Sequence, residues 1–251
     1  MRKNLFISLI VVAFFIVMAS LAMTTDKIGE VNAVKGKAGI MRADKKLTAG
    51  VKDSVLLTDI VETEKSSRMK ILFIDDSLLN LGENSKISIK EYVLGDEKKR
   101  GQSIFALLDG RVRAVVGKNK LEIHTPTAVA AARGTILFVW NTSPSESCLA
   151  LLKGTADASN KNISVQGTES VKEGNMSCVA EGMPPSKQEP IPPDLLRELI
   201  ESTEADSEPD TDKPQGGAEN GGDGDGGFNP PSVPPIELEP KEPCPSYGGG
   251  Y

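Results

Sequence analysis

The sequence predicts an all-β domain, built as a sandwich, roll or short β-solenoid and followed by a disordered tail. Three observations carry this. Apolar residues alternate with polar ones in short runs between residues 29 and 180, the period of half-buried strands. Turn-forming residues punctuate those runs about every ten residues. Fourteen of the 16 prolines lie from Pro184 onward, where the alternation has stopped.

The elements follow in order. Arg2 and Lys3 precede an apolar run from Leu5 to Ala19 that only Ser8 interrupts, and Ser20-Leu21-Ala22 closes it with small residues at the first and third places. This is a signal peptide over residues 1–22, with cleavage expected after Ala22. The alternative is an uncleaved anchor, since ~20 apolar residues span a bilayer. Either reading exports the rest of the chain.

Residues 23–182 form the β-domain. Met69, Ile71 and Phe73 share a face, as do Ile87 and Ile89, and Leu121 and Ile123; Val112 alternates with Arg111 and Arg113. Residues 135–140 are apolar on both faces, which marks a central strand. About a dozen strands are expected. Asp75-Asp76-Ser77, Asn84, Asp109-Gly110, Gly117 and Lys153-Gly154 supply turns. Residues 183–202 read as a linker with one short helix, Asp194 to Ser202, whose Leu195, Leu196, Leu199 and Ile200 share a face. Nine residues alone in water are marginal, so the helix either docks or frays.

The tail, 203–251, is rich in Pro, Gly and acidic residues and cannot bury a core. From Met183 to Tyr251 there are 15 acidic and 4 basic residues, a net of −11. The whole chain is −6, so residues 1–182 carry +5 (−6 minus −11). Neither part has the strongly basic footprint of a nucleic-acid binder. Asp223 and Asp225 sit in a glycine-rich stretch without the closing Glu of a calcium loop, so a flexible linker is expected there and no cofactor or metal anywhere.

Export makes a Cys148–Cys178 disulfide admissible, against two buried thiols as the alternative. Cys244 is left over as an exposed thiol or an intermolecular link.

The ordered motifs then become specific. Gly29 to Gly39 reads as a first strand pair. Thr58-Asp59-Ile60-Val61 follows, then Asp75-Asp76-Ser77 with Leu81-Gly82-Glu83-Asn84-Ser85, and Leu108-Asp109-Gly110-Arg111-Val112. Next stand His124-Thr125-Pro126-Thr127 with Arg133-Gly134-Thr135, then Leu152-Lys153-Gly154 and Val171-Lys172-Glu173-Gly174. This set resembles the FecR domain family over residues 29–182. Two departures stand out: Thr58 and Asp76 replace the family's usual glycines. The resemblance implies an extracytoplasmic β-domain used for interaction and sensing. The family's namesakes add a membrane helix and a cytoplasmic segment controlling a sigma factor. Only Met1 to Asn4 precede the apolar run here, so that role is not expected to carry over.

Thr125, Pro126, Arg133, Gly134 and Thr135 are the candidate interaction or turn-defining residues. The turn-defining reading leads, because glycine-flanked polar turns mostly fix geometry. His124 is the single histidine, which favours a strand-face residue over a catalyst. Asp75-Asp76 reads as a solvated turn and Lys98-Lys99-Arg100 as a basic loop. The chain is therefore expected to be a non-enzymatic, periplasmic or surface interaction module. Its partner would be an envelope protein or a cell-wall polymer. The alternative is a part of a FecR-type signalling system (sigma-factor regulation, iron uptake), anchored in the inner membrane.

Overall fold

The computed structural model describes residues 27–95, 101–117 and 119–205. The expected signal peptide, Lys98-Lys99-Arg100, the glycine-rich stretch and Cys244 lie outside the described residues.

Two nine-stranded sheets face one another. The chain shuttles between them as it advances. β1 (Lys27–Lys35) lies in the first sheet, and β2 (Ala38–Arg42) and β3 (Lys45–Thr48) in the second. β4 (Ser54–Leu56) returns to the first and β5 (Ile60–Thr63) to the second. β6 (Arg68–Phe73) and β7 (Leu78–Leu81) form a hairpin in the first; β8 (Lys86–Val93) and β9 (Gln102–Asp109) pair in the second. β10 (Arg111–Val115) crosses back, then β11 (Lys120–His124) and β12 (Ala128–Ala132) join the second sheet. β13 (Ile136–Ser143) and β14 (Glu146–Lys153) extend the first, β15 (Thr155–Asn160) and β16 (Thr168–Lys172) the second. β17 (Asn175–Ala180) and β18 (Glu189–Pro190) complete the first.

The layering is that of a sandwich, and the steady advance along the stack is solenoid-like. Neighbours are antiparallel except β9 and β11, where β10 supplies the crossover that a parallel pair requires. The described strands number 18, more than the dozen expected, because several apolar runs bend and change sheet. The expected first strand pair is one such case. β1 and β2 lie in different sheets, and Gly36, at φ 77°, turns the chain between them.

Alternation explains the layers. Met69, Ile71 and Phe73 of β6 are buried while Arg68, Lys70 and Leu72 are not. Phe105 meets Phe73 with ring centroids 5.1 Å apart, in the core between the sheets. β13 is apolar on both faces because both are covered. Leu137 and Val139 enter the inter-sheet core, whereas Phe138 and Trp140 join a second cluster on the outer face of the first sheet.

The helix α1 (Pro193–Thr203) forms that second cluster with them. Pro192-Pro193 fix its start, since Pro at the first turn loses no helical hydrogen bond. Leu199 is buried, and Leu195, Leu196 and Ile200 pack around it. Docking of this apolar stripe, rather than propensity, stabilises so short a helix. Residues 183–205, read from sequence as linker and tail, thus lie against the body. Gln188 caps the β16 edge by accepting from Lys172 N and donating to Ser170 O.

Candidate functional site

The motif residues gather at the corners where the chain changes sheet. Asp59 is 1% exposed. Its carboxylate accepts from Arg42 Nε at 2.9 Å and Arg42 Nη2 at 2.7 Å, and from the Leu56 amide at 2.8 Å. Arg42 Nη2 also donates to Ser54 O at 2.8 Å. This forked pair ties the end of β2 to the β4–β5 turn. The hydrogen bond to Asp59 holds the Arg42 guanidinium above its ordinary pKa. The pairing escaped the sequence reading because Arg42 and Asp59 are 17 residues apart.

Thr58 and Asp76, the two departures from family glycines, have φ of 73° and 63°. Both positions therefore use the left-handed region that favours glycine. Asp tolerates it, but a β-branched Thr does so at a cost, so Thr58 is a strained substitution.

A second corner joins three turns. Ser85 Oγ accepts from Arg111 N at 2.9 Å, and Ser85 N donates to Thr63 Oγ1 at 3.0 Å. Gly110, at φ 80°, lies so close that a Cβ there would stand 2.5 Å from Ser85 Cα and 2.7 Å from Asn84 O.

The Thr-Pro segment makes a third corner. Thr125 is buried; its Oγ1 accepts from Ala128 N at 2.7 Å, closing the turn between β11 and β12. Pro126 is exposed. Thr127, which the sequence reading did not single out, bridges the sheets. Its Oγ1 lies 2.8 Å from Val179 O and 2.9 Å from Ser147 Oγ.

At the Arg-Gly-Thr turn, Gly134 has φ 60° and donates its amide to Gly117 O at 3.0 Å. Val116 N donates to Thr135 O at 2.8 Å. Thr135 is buried, while Arg133 and Gly134 are exposed. The close approach is made by Gly154, whose Cβ would stand 2.9 Å from Thr135 Cγ2. The turn therefore aims Arg133 outward from a fixed base.

Arg133 borders two surface depressions. One, of about 470 Å³, is lined by Gln102, Lys120, Ala131, Thr155, Asp157 and Ser170. The other, of about 560 Å³, runs from Val115 and Gly117 to Ile136 and Lys153. The first is a trough on the outer face of the second sheet. One cross-strand row reads Glu122, beside the trough, then Ala131, Asp157 and Ser170 across it. Ala131 is too small to fill the space between the carboxylates, which makes the floor low. The rim is cationic, from Lys120 and Arg133.

Beside the trough, Glu122 holds Lys120 Nζ at 2.7 Å and His124 Nε2 at 2.9 Å. Burial pushes its carboxyl upward, but the hydrogen bonds from Lys120 and His124 outweigh that and keep it below the usual range. His124 is thus a strand-face residue engaged by its neighbour. Asp75 does not pair with Asp76. It accepts from Tyr92 Oη at 2.7 Å and Asn119 Nδ2 at 3.1 Å. Burial, then Asp75, push the Tyr92 phenol up. Among the described residues no group of three or more His, Cys, Asp or Glu is placed to hold a metal. On the outer face of the first sheet, Cys148 and Cys178 stand opposite each other on β14 and β17 and are joined by a disulfide.

Residues 59–157 match the family model described as FecR protein. The chain carries a FecR domain. The match begins at the buried Asp59 and ends at Asp157 of the trough, so it takes in the second corner and the Arg133 turn, while Arg42 of the first corner and Val179 of the third lie outside it. No curated protein matches the chain. Two solved structures of a candidate anti-sigma factor from Parabacteroides distasonis are similar at 8% identity, with TM-scores of 0.46 and 0.44. Each covers 56% of this chain, and the matched part is 63% and 64% of those chains. Likeness at that level carries no argument about function. Among the described residues no helix is long and apolar enough to cross a membrane.

Proposed function

We propose that this FecR-domain protein is a non-enzymatic interaction or sensing module acting outside the cytoplasm, in the bacterial envelope. The FecR match supports a signalling-related role. The observation that carries the binding reading is the trough at the Arg133 turn. Its floor is rigid sheet, its walls offer Asp157, Thr155, Ser170 and Gln102, and its rim offers Lys120 and Arg133. Such a surface pairs hydrogen-bond donors and acceptors with a ligand that presents both, as an extended peptide or a cell-wall glycan does. The N-terminal apolar run ending in Ser20-Leu21-Ala22, read as an export signal, supports the location.

The test immobilises the full mature chain and measures binding of solubilised peptidoglycan and of envelope proteins. R133E and K120E in the trough are compared with K52E on a distant turn. Binding that both trough variants lose and K52E keeps supports the proposal. Binding that K52E loses equally, or no binding at all, defeats it. A FecR-type signalling role predicts a changed envelope or metal-uptake transcript profile on gene deletion, and an unchanged profile counts against it.

A further inference from the structure

One lateral side of the domain is built from four successive crossings between the sheets. They run from Val115 to Lys120, Ala132 to Ile136, Lys153 to Thr155 and Lys172 to Asn175. The strands they join are neighbours in both sheets: β10, β13, β14 and β17 in the first, β11, β12, β15 and β16 in the second. The crossings therefore stack in that order. Direct contacts tie them together. Gly134 N donates to Gly117 O at 3.0 Å, Gly154 comes so close that its Cβ would stand 3.3 Å from Gly134 O, and Gly154 N donates to Glu173 Oε2 at 3.3 Å.

Each crossing carries a cation. Lys120, Arg133, Lys153 and Lys172 flank the four in turn, and all are exposed. Strands lie ~4.8 Å apart, so these side chains make a ladder about 15 Å long. Of the acids nearby, Glu122 is held by Lys120 and His124, Glu173 accepts from the Gly154 amide, and Asp157 lines the first depression. An ammonium has three donors, so Lys120 keeps two beyond Glu122. The charged residues that line the second depression are Arg133 and Lys153, both cations. Beside the ladder stand the amide of Gln102 and the hydroxyls of Thr155 and Ser170.

We propose that this ladder binds a linear acidic glycan, a chain of carboxylated sugars running across the four crossings. The inference rests on the binding reading above and names its ligand. The ladder's charge is opposite to that of the sugar carboxylates. One sugar residue advances the chain by close to one strand spacing, so successive residues meet successive crossings. Ring hydroxyls both donate and accept, as do Gln102, Thr155 and Ser170. An extended peptide would instead draw affinity from pairing its backbone with a free strand edge. The edge beside the ladder is β16, and Gln188 caps it.

The test titrates the full mature chain with tetragalacturonate, digalacturonate, uncharged maltotetraose and hexaglutamate. Tetragalacturonate should bind about tenfold or more tighter than the dimer, weaken as salt rises, and exceed both maltotetraose and hexaglutamate. K153E and K172E should each weaken it about tenfold, the loss of one charge-assisted contact, while K52E changes nothing. Hexaglutamate binding as tightly as tetragalacturonate overturns the proposal, because charge alone would then suffice. So do equal dimer and tetramer affinities, or K153E and K172E behaving as K52E does. Envelope-ligand binding that R133E and K120E abolish but K153E and K172E keep ends this proposal and leaves the trough reading standing.

Discussion

The Arg42–Asp59 pair should dominate the stability of the first third of the domain. Asp59 is 1% exposed and takes three hydrogen bonds, two of them charge-assisted from one guanidinium. Removing one partner of a buried pair costs roughly 3–5 kcal/mol, because the other charge stays buried. The Arg42 side chain is 34% exposed, so water reaches part of it and the lower end applies. R42A should lose about 3 kcal/mol. D59N keeps an acceptor for the Leu56 amide and should lose about 2 kcal/mol, the range for a lost hydrogen bond to a charged group. In the double variant neither charge is stranded, so the losses should fall short of additive by about 2 kcal/mol. Urea unfolding at pH 7, followed by the single Trp140, measures all three, because that ring is buried in the second cluster. Additivity within about 0.5 kcal/mol, as for independent sites, would refute the reasoning.

Other outcomes follow from backbone angles, charge and the cross-link. T58G should gain about 1 kcal/mol in the same assay, since φ 73° costs a non-glycine residue roughly 1–2 kcal/mol. G134A should lose about 1 kcal/mol from its φ alone, having no atom within 4 Å of the new Cβ. G110A should lose clearly more, because its Cβ meets backbone; equal losses would disprove the steric part. Glu62, held low mainly by Lys46, and Glu122 have folded pKa values below the ordinary carboxylate value of about 4.3. Their contribution is therefore full above that pH and lost as pH falls through the folded values. E62Q/E122Q should flatten the acid limb of a melting-temperature profile, and an unchanged slope would contradict it. Reducing Cys148–Cys178, whose partners are 30 residues apart, should cost about 3 kcal/mol, seen as a lower urea midpoint on adding reductant.

Much of the corner chemistry was legible only as motif. Gly110 and Gly154 stood out as turn residues, and both have positive φ and a close neighbour. Thr125 stood out beside Pro126, and its hydroxyl does close the turn. Arg42, Thr63, Ser85 and Thr127 did not stand out. Each acts through a partner distant in sequence, and neither composition nor period marks such a residue. At the Arg133 turn, Gly134, Thr135 and Gly154 supply the positive φ angles and the close backbone approach, and the exposed Arg133 borders both depressions.

The buried faces of β6, β8, β10 and β11 followed from alternation, because a strand's side-chain period is two wherever the strand lies. The two-sided apolarity of residues 135–140 likewise announced a covered strand. Which sheet each strand joins was decided only in three dimensions. A turn that makes a hairpin and a turn that changes layer use the same glycines and aspartates. The difference lies in where the next apolar face finds its partner. That choice separated β1 from β2, brought Arg42 to Asp59, seated α1 on Phe138 and Trp140, and set Ala131 low between Glu122 and Asp157.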